Sequence, residues 1–223
     1  MEAKQTINGD QRQARRVVDH YSRLAPAYDQ RWDRYSLGSL GRLVQSLDLR
    51  GDERMLDVAC GTGRLEALLR ERHPRIDVTG VDLSPDMLEV ARQRFPEDER
   101  TRWLQGTLDD VELPAASFDL VTCNNAFHLF PEQQASLDRM AELVRPGGLV
   151  AIVDWCREYP QIGMLQLAAA TGLGQRRRIL TREELAAMFA SAGLEVMEGE
   201  RFRATPFWGM MCFIGRRPSA DLP

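Results

Sequence analysis

The sequence predicts an α/β protein built on a doubly wound sheet, and three observations predict it. Strand-length apolar runs alternate with helix-length segments between residues 55 and 155. The first run, "MLDVACGTG", turns through glycines into a helix. The last two runs, "LEVMEGERFRA" and "FWGMMCFIGRR", are separated only by "TP", which makes them an antiparallel pair closing one sheet edge. The expected sheet therefore has seven strands, mostly parallel, with an antiparallel C-terminal strand.

The elements follow in order. From Asp10 to Leu47 apolar residues recur at helical spacing, and Pro26 separates the first two helices. A Gly51-Asp52 turn leads into the strand Met55 to Ala59. Next come a helix over 64–73, the strand "DVTGVDL", a helix over 85–94, and the strands "TRWLQGT" and "FDLVTCNN". In "DLSPDML", Ser84 is the N-cap and Pro85 the first helical residue. A helix over 132–144 and the strand "LVAIVDW" complete the alternation. An apolar helical insert, "MLQLAAATGLG", precedes a helix over 181–192 that stops at Gly193.

No linker or repeat divides the 223 residues, so one domain is expected. Its parts are an N-terminal helical cover (10–48), a core (49–156), a lid insert (157–180) and a C-terminal helix and strand pair (181–217). No apolar run approaches the roughly 18 residues of a membrane span and the N-terminus lacks a signal-peptide centre, so the expected location is cytoplasmic. A net charge of −4 offers nucleic acid no broad attraction, and the basic runs "RQARR" and "GQRRR" read as solvated faces. The four cysteines are scattered with no C-x-x-C pair, so neither a disulfide framework nor a metal site is expected.

Three nucleotide-type ligands compete for a glycine turn after the first strand. A P-loop needs Gly-Lys-Ser/Thr, but Arg64 and Leu65 follow Gly63. A dinucleotide fingerprint needs a third glycine where Glu66 stands. A nucleoside without phosphate remains, and Asp82, about 20 residues beyond the turn, is the acceptor for its ribose hydroxyls. Asp57 suits either the turn backbone or a ligand's ammonium group.

The segments "LDVACGTGRL", "VTGVDLSPDML", "LQGTLDDVELP", "FDLVTCNNAFHLF" and "LVRPGGLVAIVDW" resemble, in order, the motifs of class I S-adenosylmethionine-dependent methyltransferases. The similarity is greatest to the ubiquinone/menaquinone biosynthesis group, whose entrance helices "HYSRLAPAYDQRW" also resembles. The resemblance implies a Rossmann-like fold binding S-adenosyl-L-methionine and releasing S-adenosyl-L-homocysteine. It implies that Asp57 and the backbone of Ala59, Cys60, Gly61 and Gly63 hold the methionine part, and that Asp82 holds the ribose. Leu83 would pack beside the adenine, Thr107 and Leu108 would meet its edge, and Asn124 would border the methionine. Tyr21 and Tyr28, seven apart, either pack their helices or cover the cofactor.

Methyl transfer from a sulfonium is an in-line displacement that needs an added base only when the acceptor must lose a proton. His128, just beyond the fourth strand, is a candidate base or a pocket-shaping histidine. Asp154, ending the fifth strand, would orient a substrate hydroxyl or that histidine, or cap the next turn. Tyr28, Trp32, Phe127, Phe130, Trp155, Tyr159, Met164, Leu165, Phe207, Trp208 and Met210 are expected around the sheet edge and favour an apolar or aromatic acceptor. A quinone-type carbon or phenolic oxygen is favoured, with peripheral membrane contact if the acceptor is a lipid quinone. A monomer or homodimer is expected. Two alternatives stay open: a non-catalytic cofactor-binding subunit, and a non-methylating enzyme using the same cofactor.

Overall fold

Arg54–Val58 (β1) pairs in parallel on both sides, with Asp77–Asp82 (β2) and Phe118–Asn124 (β4). A strand enclosed this way presents apolar residues to both faces, and Met55, Leu56 and Val58 are buried accordingly. The computed structural model describes residues 9–96, 98–170 and 177–219. With Thr101–Gln105 (β3), Val144–Trp155 (β5), Glu195–Arg203 (β6) and Gly209–Arg216 (β7), the sheet has seven strands in the order β3-β2-β1-β4-β5-β7-β6. Only β7 opposes its neighbours, so the expected antiparallel C-terminal strand is present and β6 forms the edge.

The helices are Gly9–Leu24 (α1), Tyr28–Ser46 (α2), Arg64–Arg70 (α3), Pro85–Arg94 (α4), Gln133–Leu143 (α5), Pro160–Ala170 (α6) and Arg182–Ser191 (α7). Pro26 lies in a 3-10 turn over Ala25–Ala27, and α2 kinks at Trp32, whose backbone leaves helical geometry. Ser84 accepts from the Met87 N–H at 3.3 Å to cap α4, with Pro85 as first helical residue. Thr181 and Glu184 form a capping box at the start of α7, and Gly193 follows its C-cap at φ 71°.

Some boundaries differ from expectation. Helix α3 stops at Arg70, three residues early, where the chain turns through Glu71 and Arg72 toward β2. Strand β5 begins at Val144 rather than Leu149, because a register shift opposite Phe118 and Leu120 carries the Pro146-Gly147-Gly148 run within it. Helix α6 begins at Pro160, and residues 171–174 of the expected insert lie outside the described residues, as does Arg176 of the "GQRRR" run.

The pleat sends alternate residues to two cores. On one face Leu56, Val58, Val121 and Cys123 pack with Leu137 and Met140 of α5 and Phe189 of α7. On the other, Met55, Val78, Leu120 and Val153 pack with Leu40, Leu43 and Val44 of α2 and Leu65 and Leu69 of α3. By the same alternation Asp57, Thr122 and Asn124 point toward the second face, that of α2 and α3. Strand order reverses between β1 and β4, which leaves a crevice at the strands' carboxyl ends. Among the described residues no helix is long and apolar enough to cross a membrane.

Candidate active site

A cleft of about 570 Å³ opens at that crevice. Its floor comes from the ends of β1, β2, β3 and β4, and its wall from α1, α2 and the segment after β4. The floor begins with a loop in which Ala59, Gly61 and Gly63 have φ of 59°, 56° and 71°. These left-handed turns fold the chain back on β2, where the Cys60 N–H donates to the Val81 carbonyl at 3.1 Å. A Cβ added at Gly61 would meet no atom within 4 Å, so the backbone there is open to a ligand.

Asp82 fastens this loop to the next helix. Its Oδ2 accepts from the Gly61 N–H at 2.9 Å and its Oδ1 from the Ser84 N–H at 2.8 Å. Burial pushes its carboxyl upward, and the two N–H donors partly oppose that shift. Each oxygen keeps a second lone pair for a ligand hydroxyl. Asp57, beneath the loop, accepts on Oδ1 from the Thr122 hydroxyl and from Asn124 Nδ2 at 3.2 Å. Burial pushes its carboxyl up to about 6. Asn124 Oδ1 is buried without a hydrogen-bond partner.

Asp57, Ala59, Cys60, Gly61, Asp82, Leu83, Thr107, Leu108 and Asn124 all line the cleft, as do Tyr21 and Tyr28. The two tyrosine rings lie 6.1 Å apart, and among the described residues neither hydroxyl has a hydrogen-bond partner. Burial pushes both phenols upward, that of Tyr21 to about 12, so both are neutral donors. Gly63 is not among the lining residues. It starts α3, where an added Cβ would stand 3.0 Å from the Trp103 ring. Thr107 has its hydroxyl engaged, because it donates to Asp110 at 2.8 Å and accepts from the N–H groups of Asp109 and Asp110.

His128 and Asp154 meet each other rather than the cleft. Each side chain is only 3% exposed, and His128 Nδ1 lies 2.7 Å from Asp154 Oδ1. Asp154 also accepts the His128 N–H at 2.7 Å, and the imidazole stacks on Trp155 at 4.2 Å. The pair thereby fixes the turn between Ala126 and Leu129, both of which line the cleft.

The expected aromatic cover is largely elsewhere. Only Tyr28 and Phe130 of that group line the cleft. Trp155 stacks on Trp208, and Trp32 and Tyr35 meet that pair to make a separate aromatic cluster; Phe127 and Met210 are core, and Met164 and Phe207 are 72% and 50% exposed. The apolar wall instead comes from Val17, Val18, Leu40, Leu129 and Phe130. The signal for Val17, Val18 and Leu40 was the helical periodicity of α1 and α2; for Leu129 and Phe130, their place after the end of β4.

The cover is tied to the floor by charge. Asp29 accepts from the Thr62 hydroxyl at 2.7 Å and from Arg94, while Arg64 pairs with Asp33 and lies 3.9 Å from Asp29. Arg64 is thus committed, and it is the only basic residue among the described cleft-lining residues, against Asp57, Asp82, Asp109, Asp110 and Glu132. An acidic cleft rejects phosphates and accepts a cationic nucleoside.

The methyltransferase-domain family matches residues 55–148, the stretch that supplies this floor. An uncharacterized methyltransferase of Mycobacterium bovis is 35% identical over 137 residues, which cover 61% of this chain and 68% of that one. The chain belongs to the methyltransferase family. A demethylmenaquinone methyltransferase of Deinococcus radiodurans is 31% identical over 159 residues, covering 69% of this chain and 66% of its own length. The solved structure of the [4+2]-cyclase SpnF superposes with a TM-score of 0.75 at 15% identity, covering 93% of this chain and 97% of its own, which shows the shared fold alone. The methyl donor of this methyltransferase is S-adenosyl-L-methionine. The cleft fits it: an open glycine turn, a carboxylate with free lone pairs, an orphaned amide oxygen and net negative charge.

Proposed function

We propose that this methyltransferase modifies a neutral, largely apolar small molecule, with a quinol carbon or phenolic oxygen as the acceptor. The observation that carries the reading is the cleft's composition: an acidic floor, a wall of Val17, Val18, Leu40, Leu129 and Phe130, and, among the described lining residues, a single cation, Arg64, that is already paired with Asp33. An anionic acceptor would meet no free cation among the described lining residues. The demethylmenaquinone methyltransferase relative supports the same class.

In this reading Asp57 and Asn124 seat the ammonium end of the cofactor, the turn Ala59 to Gly61 meets its carboxylate, and Asp82 takes the ribose. Leu83 and Leu108 flank the adenine, and Asp109 replaces Thr107 as acceptor for its amine, because the threonine hydroxyl is already engaged. The sulfonium supplies an activated methyl group, so the chain's own task is alignment and exclusion of water. Tyr21 and Tyr28 close the cleft from the cover, and as neutral phenols they donate hydrogen bonds to an acceptor oxygen. The cover of residues 10–48 and the core of 49–156 act as one unit around the ligand. The geometry favours the shaping role for His128, held by Asp154, over that of a base.

The test is mass spectrometry of the protein incubated with S-adenosylmethionine and a panel of quinols, phenols, amines, carboxylates and phosphates. One added methyl on a quinol or phenol is expected. Methylation confined to a carboxylate or phosphate would overturn the reading.

A further inference from the structure

Glu66, in the first turn of α3, is 0% exposed, and neither carboxyl oxygen has a hydrogen-bond donor in the described structure. A buried carboxylate that no side-chain donor stabilises is strongly disfavoured. Its neighbour is another acid. Asp57 lies on the face of β1 that α3 covers, and the two carboxyls act on each other there, so they do not both ionise. The surroundings decide which one holds the proton. Asp57 has two side-chain donors, Thr122 and Asn124 on β4, while Glu66 has no side-chain donor among the described residues. From β2 comes the negative charge of Asp82, from the loop the neutral Cys60, and from α4 Arg94, whose guanidinium is already bound to Asp29. The buried polar residues of α2 are the uncharged Ser36 and Ser39.

We propose that Glu66 is a positioning residue held as the neutral acid, donating its proton to Asp57 and so aiming the one carboxylate that seats the cofactor's ammonium group. The inference rests on the reading of Asp57 as that seat. Burial and the adjacent Asp57 both raise the Glu66 carboxyl well above the usual range, in agreement with the geometry. It also gives a reason for an acid where a dinucleotide site has glycine: the helix start carries a proton donor for β1 instead of close access for a diphosphate.

Calorimetry with S-adenosylhomocysteine, which has the ammonium group, and 5′-methylthioadenosine, which lacks it, tests this between pH 5 and 7.5. Glu66→Gln keeps an N–H donor toward Asp57, so its affinity for S-adenosylhomocysteine at pH 7.5 should stay within about twofold of wild type. A loss of tenfold or more would mean that Glu66 contributes a negative charge and would overturn the proposal. In wild type, proton uptake by Asp57 near pH 6 should weaken S-adenosylhomocysteine about tenfold at pH 5 and leave methylthioadenosine within twofold. Parallel loss for both ligands would remove the seat reading and leave the Glu66 proton to a second measurement. That is the side-chain carboxyl ¹³C resonance of Glu66 in the ligand-free protein at pH 7.5: a protonated shift supports the proposal, an ionised one overturns it.

Discussion

The floor and the wall of the cleft are built on different physical terms. The floor works through backbone N–H groups, the buried Asp57, the half-buried Asp82 and glycine turns set at the ends of adjacent strands, so its tolerance is a few tenths of an ångström. The wall works through the area of Val17, Val18, Leu129 and Phe130, contributed by a helix and a loop, and area is forgiving of shape. A floor of this kind holds one ligand, and a wall of this kind selects a class of ligand. Substitutions that separate cofactor affinity from acceptor affinity would sharpen the contrast, and those that move both would break it.

The largest effect is expected at Asp82. Asp82→Ala removes the charge-assisted bonds to the ribose together with the anchor of the Gly61 N–H, for a loss of about 2–3 kcal/mol, or roughly 100-fold in cofactor Kd. Calorimetry with S-adenosylhomocysteine checks it. Wild-type affinity would mean that the acid only ties the loop to α4.

Gly80→Ala comes next, on the floor's underside. Gly80 is paired with Asp57 on one side and Trp103 on the other, and an added Cβ would stand 2.4 Å from the Trp103 ring and 2.8 Å from Cys60 Sγ. Overpacking of this kind costs about 2 kcal/mol, and pushing Cys60 displaces the turn that Cys60 shares with Gly61. Both the denaturation midpoint and cofactor affinity should fall. A fall in stability alone would show that the loop absorbs the displacement.

The contrast also explains what was legible in the sequence. Asp57, Ala59 to Gly61, Asp82, Leu83, Thr107, Leu108 and Asn124 each end a strand or follow one, and in a parallel sheet all such ends lie at one edge, so local pattern fixes their place. The antiparallel β7, Ser84 as cap and the stop at Gly193 were readable for the same local reason. What escaped depends on contacts made only when separate elements pack together. Glu66 meets Asp57 only once α3 lies over β1, and Asp29 meets Thr62 and Arg94 only once the cover folds back. Aromatic residues near the sheet edge were expected to line the cleft, but the rings of Trp32, Trp155 and Trp208 pack against one another instead, a contact between segments far apart in sequence.

The wall responds more weakly. Val18→Asp places a charge among the apolar side chains of α1 and should raise the acceptor KM about tenfold, near 1.4 kcal/mol, while the cofactor Kd stays within twofold. Steady-state kinetics with the acceptor found by mass spectrometry, set beside calorimetry, measures both. An equal change in the two constants would merge floor and wall into one binding surface.

The smallest effect is expected at Ala59, and its sign is the informative part. An alanine at φ 59° carries roughly 1–2 kcal/mol of left-handed strain, whereas glycine adopts that conformation freely. Ala59→Gly relieves the strain but gives the unfolded chain more freedom, about 0.4–1 kcal/mol in the other direction. The net gain should be somewhat under 1 kcal/mol in urea denaturation, with the cofactor Kd unchanged to within twofold. Strain retained at this position keeps the turn closed on Val81 before the ligand arrives, because an alanine has fewer other conformations to visit. If Ala59→Gly stabilised the fold while weakening cofactor binding, the floor would owe part of its affinity to that preorganisation, and the wall, which has no comparable strained residue among its lining side chains except Asn125 at φ 58°, would remain the adaptable side.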